Sequence, residues 1–141
     1  MIPKLRFLEF KDDYVKETLS SVSEDISYGV GAAAKPYDSK YRYLRITDIV
    51  ESSFTRLRAD KSASPNCSQD VANKYIMGKG DIVIARTGAN VGKIFLNTSY
   101  NNLVYAGFLI RFKISNQVLP YYLTTSLQIQ RYHKWVSIMS V

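Results

Sequence analysis

The chain has 141 residues, of which 46% are hydrophobic and 22% charged, a composition typical of one globular domain and not of a disordered chain. Its 19 Lys and Arg outnumber its 12 Asp and Glu, so it carries a net charge of +7. This excess favours a polyanionic partner, nucleic acid above all, although a basic protein without such a partner remains an alternative. The single cysteine, Cys67, excludes an internal disulfide and is typical of the reducing cytoplasm.

The sequence predicts neither a secretory leader nor a membrane-spanning helix. The N-terminal stretch "MIPKLRFLEFKDD" lacks the apolar core of a signal peptide. No run of the chain approaches the roughly 18 apolar residues that a spanning helix needs. We therefore expect a cytoplasmic protein with no membrane partner.

The first half of the chain is predicted to contain one short helix and one strand, joined by loops. After an extended lead-in over residues 1–10, apolar residues at helical spacing predict a short N-terminal helix over residues 13–23. Residues 27–41 are rich in glycine and alanine and predict a long loop. The alternating stretch "RYLRITDIV", residues 42–50, predicts a strand, and the polar residues 51–70 predict a flexible, basic surface loop.

The second half of the chain is predicted to be mainly β-structure. Residues 71–77 suit either a helical turn or a short strand, whereas "DIVIA" (81–85) and "KIFL" (93–96) are typical of strands. Residues 103–114 predict a third β-rich run, and apolar residues four apart over 120–136 predict an amphipathic C-terminal helix. The predicted fold class is α+β: a twisted, mostly antiparallel β-sheet with a short N-terminal helix and a C-terminal amphipathic helix.

The stretch "RTGANVGK", residues 86–93, is the most distinctive motif. It is not a phosphate-binding P-loop, because only three residues separate Gly88 from Gly92 and Lys93 is followed by isoleucine in place of a hydroxyl residue. A strand is predicted after it, so no helix N-terminus would be available for a phosphate. We therefore predict a β-hairpin whose turn either only orders the sheet or also approaches a phosphate backbone. Its structural turn residues would be Gly80, Gly88 and Gly92.

No pattern of catalytic or metal-binding residues is visible in the sequence. The acidic residues are scattered, and no histidine-carboxylate cluster, paired carboxylate or serine elbow stands out. The only histidine, His133, is far along the chain from Cys67, which argues against a thiol nucleophile activated by histidine. We therefore expect no catalytic centre, no metal and no cofactor.

Five segments occur in a fixed order along the chain: "PKLRFLEF" (3–10), "YG" (28–29), "YRYLRITDI" (41–49), "KGDIVIARTGANVGKIFL" (79–96) and "VYAGFLIRFK" (104–113). In order and spacing they resemble the target-recognition domain of the specificity subunit of type I restriction-modification systems. The family usually has proline where Leu8 stands and commonly has tryptophan near Tyr14.

The resemblance implies a single DNA target-recognition domain over residues 1–141. A complete specificity subunit of this family has two such domains separated by two long helices that bind the modification subunits. This chain ends about where the first of those helices would begin. We therefore expect an expressed fragment, a truncated gene product or a half-subunit.

By the same resemblance, the chain would bind double-stranded DNA, read one half of a two-part target and catalyse no reaction itself. Its other partners would be the methyltransferase (modification) and restriction subunits, if the spacer helices are supplied. Base reading requires side chains such as Arg, Asn and Thr. The DNA-binding candidates, among which the three cations of loop 51–70 are favoured for base reading, are Arg42, Arg45, Thr47, Arg56, Arg58, Lys61, Arg86, Thr87, Asn90, Lys93 and Lys113.

Two other functions remain open at this point. A truncated specificity fragment would act mainly as a protein-interaction module with the modification subunit. An RNA-binding or nucleotide-binding module is disfavoured by the absence of an RNP-type aromatic pattern and of P-loop spacing.

Overall fold

The computed structural model describes residues 7–9 and 11–140, and these form an α+β fold, which confirms the predicted class. Within that part, three short 3-10 helices cover Ile46–Asp48, Ala59–Lys61 and Gly88–Asn90. The α-helices are α1 (Gln69–Asn73), α2 (Pro120–Ser126) and α3 (Gln130–Met139). The strands are β1 (Ser23–Tyr28), β2 (Ala34–Pro36), β3 (Arg42–Leu44), β4 (Ala63–Pro65), β5 (Ile82–Ala85), β6 (Ile94–Leu96), β7 (Leu103–Tyr105) and β8 (Leu109–Ile114).

The main sheet is antiparallel and has the strand order β1-β8-β5-β6. Strands β5 and β6 form the predicted hairpin, with Ile84 opposite Ile94. On its other side β5 pairs with β8, where Ile84 lies opposite Ile110, and β8 pairs with β1, where Ile110 lies opposite Tyr28. Two small pairs complete the strands, antiparallel β2–β4 and parallel β3–β7.

Strand β5 is covered on both faces, which explains its uninterrupted apolar sequence. Ile82 belongs to a cluster that α2 and α3 complete through Leu123 and Tyr132. Val83, the next residue, belongs to the larger core, which also contains Phe95. The strands of the hairpin are therefore packed between two layers, and the tip projects from this packed region.

The predicted helix over residues 13–23 is wrong. Residues 11–18 have no regular structure, and the chain turns before β1 begins at Ser23. In the turn, the Ser21 N–H donates to Thr18 Oγ1 at 3.1 Å and the Thr18 N–H donates to Ser21 Oγ at 3.0 Å. Serine and threonine side chains compete with helical hydrogen bonds in this way, and pairing with β8 then favours the strand. The predicted lead-in over residues 1–10 lies outside the described residues except for 7–9.

The predicted strand over residues 42–50 is correct only as far as Leu44. The Asp48 carboxylate accepts the Arg45 N–H at 2.9 Å and folds the next residues into a 3-10 helix. This local hydrogen bond takes the place of a hydrogen bond between strands, so the strand does not continue past Leu44. Arg45 and Thr47 therefore do not share the face of one strand.

Each of the two predicted loops contains a short strand that the sequence did not indicate. Pro36 in the first loop lies opposite Ala63 in the second, and Ala34 lies opposite Pro65. Three-residue strands that end in proline give too little alternation to detect, and proline is tolerated at strand ends. Ser64, the middle residue of β4, is fully buried, so this part of residues 51–70 is not a flexible surface loop.

At three further places the structure divides a predicted element or resolves an ambiguity in the prediction. The run 103–114 is divided at a turn over residues 106–108, because β7 pairs with β3 whereas β8 joins the main sheet. The C-terminal helix is divided into α2 and α3, and Pro120 is in the first turn of α2 as expected. In the ambiguous stretch 71–77, residues 71–73 complete the helix α1, whose first turn is capped by Ser68, and Ile76 forms an isolated bridge with Val104. None of the helices in the described residues has the length and apolarity to cross a membrane.

Candidate nucleic-acid interface

The tip of the β5–β6 hairpin is exposed from residue 86 to residue 90. Gly88 and Gly92 have φ angles of 72° and 82°, in the left-handed region that favours glycine. The Gly92 N–H donates to the Ala85 carbonyl at 2.8 Å and closes the turn. A Cβ atom at Gly92 would lie 2.8 Å from Val136 Cγ1, so α3 packs against the base of the hairpin and leaves the tip free. Gly80 also has a positive φ angle, 86°, but it precedes β5 at the opposite end of the strand.

Arg86 leads into this tip and rests on an aromatic side chain. Its guanidinium carbon lies 4.7 Å from the centre of the Tyr28 ring, and its backbone N–H donates to the Phe108 carbonyl at 3.1 Å. Tyr28 is 59% exposed and Phe108 61% exposed. We call Tyr28, Arg86 and Phe108 the aromatic platform. A cation–π contact orients the guanidinium and leaves its N–H groups available to a ligand.

A groove runs from the aromatic platform toward the segment after β3. It consists of two adjoining cavities of about 410 and 290 Å³, which share Ala32, Tyr43, Ala106 and Phe108 in their walls. Arg86 lines the first cavity. Arg45 and Thr47 line the second. We call this the platform groove; it places Arg86, Arg45 and Thr47, three of the predicted site residues, around one concave surface.

The wall of the platform groove is held by a buried tyrosine. The Tyr43 hydroxyl approaches the Ala32 carbonyl at 2.8 Å and the Val30 carbonyl at 3.1 Å, and the side chain is 3% exposed. Burial raises the pKa of the Tyr43 phenol, which keeps it in the protonated form that donates. Tyr43 is therefore a structural residue of the groove wall.

Tyr43→Phe is expected to lower the free energy of unfolding by about 1 kcal/mol, because buried carbonyls lose a donor. Urea denaturation monitored by fluorescence measures this. Tyr37→Phe is a matched control, since Tyr37 is 47% exposed. Equal stabilities of the two variants would show that the hydroxyl does not hold the wall.

The eight predicted cations divide into two groups by their ion pairs. Four are paired with carboxylates: Arg45 with Asp48 at 2.7 Å, Arg58 with Asp60 at 3.3 Å, Lys93 with Glu51 at 2.5 Å and Lys113 with Glu24 at 3.0 Å. Consistent with these contacts, Lys93 lowers the pKa of Glu51 and Arg58 lowers that of Asp60. The other four have no carboxylate within 4.0 Å among residues 7–9 and 11–140: Arg42, Arg56, Lys61 and Arg86.

Two arginines tie the segment 42–48 to the basic loop. Arg45 makes a two-pronged contact with Asp48, a residue that is 1% exposed, and also donates to the Lys61 carbonyl at 2.8 Å. The Asp48 hydrogen bond raises the pKa of Arg45. Arg42 donates to the Arg58 carbonyl at 2.8 Å. These bonds place Arg42 and Arg45 next to the basic loop that carries Arg58 and Lys61, although Arg45 itself is paired with Asp48.

The structure does not bring Lys113 to this region. Ala85, next to Arg86, lies opposite Leu109, whereas Lys113 follows Phe112 at the far end of β8. Four residues along a strand separate the two ends by about 13 Å. Lys93 is paired with Glu51, whereas Thr87 and Asn90 are exposed at the tip.

Sequence reasoning missed two groups that shape this site. Tyr28 and Phe108 complete the aromatic platform, and Gly29 allows the chain after β1 to approach residues 105–106 closely. The dipeptide "YG" was noted only as part of a family resemblance. Nothing local in the sequence signals that residues 28–34 and 106–108 meet.

The described residues contain no group of three or more His, Cys, Asp or Glu side chains arranged to hold a metal ion. The fold and the site together describe an α+β protein with an exposed, glycine-tipped basic hairpin beside an apolar groove. No protein-family model and no curated protein matches this chain.

Proposed function

We propose that this protein binds double-stranded DNA in a sequence-specific manner and catalyses no reaction. The single observation that carries the proposal is Arg86 at the exposed hairpin tip, oriented on Tyr28 and free of any carboxylate from the described residues. A guanidinium that is oriented by an aromatic ring and has no carboxylate partner has lost part of its conformational freedom but keeps its charge and N–H donors. Such a group suits a guanine edge or a phosphate.

The arrangement of the tip supports reading in the major groove. In that groove Arg contacts guanine, Asn contacts adenine and Thr contacts the thymine methyl group. Arg86, Asn90 and Thr87 are exposed together on residues 86–90. Of the loop cations that the sequence favours for base reading, Arg56 and Lys61 have no carboxylate partner among the described residues and would be available to DNA.

The family resemblance makes the proposal more specific. As a target-recognition domain of a type I restriction-modification system, the chain would read one half of a bipartite target in the cytoplasm. The modification and restriction subunits would then act on DNA that this domain selects, provided that spacer helices connect them to it.

A mobility-shift titration against random-sequence duplex at several salt concentrations tests the proposal. Around four to six phosphate contacts predict a slope between about −3.6 and −5.4 when the logarithm of the binding constant is plotted against that of the salt concentration. Selection from the bound fraction should enrich a short motif. Absence of duplex binding at low salt, or a preference for single strands, would contradict the proposal.

One observation favours the alternative of a protein-interaction module for the modification subunit. Large apolar side chains on α2 and α3 are exposed, among them Tyr121 (60%), Trp135 (59%) and Ile138 (63%). Aromatic residues are enriched in protein interfaces. If purified modification subunit binds the chain while duplex DNA does not, this alternative replaces the first proposal.

A further inference from the structure

Phe108 has a large apolar side chain that an ordered turn exposes to solvent. Its neighbours Ala106 and Leu109 are 7% and 0% exposed, whereas Phe108 is 61% exposed. The turn is fixed from both sides, since the Ala106 N–H donates to the Leu44 carbonyl at 3.0 Å and the Gly107 N–H donates to the Val30 carbonyl at 2.9 Å. The ring therefore projects from an ordered backbone beside the platform groove.

A single exposed aromatic residue is ordinary on a protein surface, but the surroundings of Phe108 are specific. The part of the groove next to it is lined mostly by apolar atoms, to which Ala32, Ala106 and Leu109 contribute. Arg86 stands at one end, with no carboxylate from the described residues. An apolar floor beside a free guanidinium suits a ligand that presents a small apolar group next to hydrogen-bond acceptors.

The major groove of DNA presents that combination where a thymine lies beside a guanine. The C5-methyl group of thymine is apolar, and the O6 and N7 atoms of guanine accept two hydrogen bonds from one arginine. The net charge of +7 and the unpaired Arg86 favour this polyanion over an apolar peptide as the occupant.

We infer that the platform groove receives the C5-methyl group of a thymine, with Phe108 packed on the methyl group and Arg86 directed to the neighbouring base. This inference rests on the proposed DNA-binding function and names one specificity-determining contact within it. Because the contact is made to a methyl group, replacing the thymine by deoxyuridine removes it without changing base pairing.

The test begins with the duplex motif selected by the wild-type chain. Each thymine of that motif is replaced singly by deoxyuridine, and the affinity of wild type and of Phe108→Ala is measured for every duplex. One replacement should weaken wild-type binding about fourfold, the equivalent of one buried methyl group. The same replacement should leave Phe108→Ala unchanged, which is the signature of a direct pair in a double-mutant cycle.

Tyr122→Ala is the matched control, because Tyr122 on α2 is 59% exposed and does not line the platform groove. It should keep the wild-type response to every replacement. If Phe108→Ala does not fold, Phe108→Gln keeps the length of the side chain, removes its apolar face and should also lose the response.

The outcomes separate the two proposals. If the wild-type chain binds no duplex, the proposed function fails and the inference fails with it. If wild type binds a motif but Phe108→Ala, or Phe108→Gln in its place, responds to every deoxyuridine as wild type does, only the methyl contact is overturned. A selected motif without thymine overturns it equally.

Discussion

Gly29→Ala is expected to destabilise the fold by about 3–5 kcal/mol, in the range of substitutions that force a buried backbone apart. A Cβ atom at this position would lie 2.2 Å from the Ala106 carbonyl oxygen and 2.4 Å from the Tyr105 carbonyl oxygen. Both obstacles are backbone atoms of buried residues, so neither can turn aside as a flexible side chain would. The Gly29 N–H also donates to the Leu109 carbonyl at 3.2 Å, and that bond would be strained as the chain moved away.

Urea denaturation of Gly29→Ala beside Gly31→Ala measures this effect. Gly31 is two residues further along the same segment, and a Cβ atom there would meet nothing within 4 Å. The control should therefore stay within about 1 kcal/mol of the wild type. Similar stabilities of the two variants would mean that the segment after β1 does not pack closely on residues 105–106, and the wall of the platform groove would need a different explanation.

Arg86→Ala is expected to weaken binding to the selected duplex about ten- to hundredfold and to reduce the salt slope by about one if the contact is to a phosphate. The physical reason is the loss of an oriented cation that no carboxylate of the described residues neutralises. Folding should be almost unaffected, because the side chain lies on the exposed hairpin tip. Mobility-shift titration gives the affinity, and thermal unfolding monitored by circular dichroism gives the stability.

Lys113→Ala is the matched control for Arg86→Ala. Lys113 was a candidate by sequence as well, but it pairs with Glu24 at 3.0 Å and lies at the other end of the sheet. Its removal should change duplex affinity by less than about threefold, as is usual for a distant surface charge. Equal losses in both variants would point to general charge attraction in place of a specific surface. An unfolded Arg86→Ala variant would mean that the hairpin is structural only.

The hairpin was predictable because its determinants are local. Strands β5 and β6 alternate or stay apolar over a few residues, and Gly88 and Gly92 both adopt the positive φ angles expected from the motif. The exclusion of a P-loop had the same local basis, since the next element after the turn is a strand.

The helix predicted over residues 13–23 shows where local patterns mislead. Apolar residues occur at helical spacing there, but the side chains of Thr18 and Ser21 bond to nearby backbone and the chain then joins the sheet at β1. Spacing alone does not reveal which competing hydrogen bond is the stronger. The same competition, through Asp48, ended the strand predicted over residues 42–50.

By itself the sequence determined the α+β class, the antiparallel hairpin and the surplus of positive charge. These follow from periodicity, turn chemistry and composition, which act over a few residues or over the whole chain. Only the tertiary structure decided which cations are neutralised, because Lys93 meets Glu51 and Lys113 meets Glu24 across many intervening residues. It also created the platform groove, since residues 30–34, Tyr43 and the turn over 106–108 meet only when β1, β3, β7 and β8 have paired.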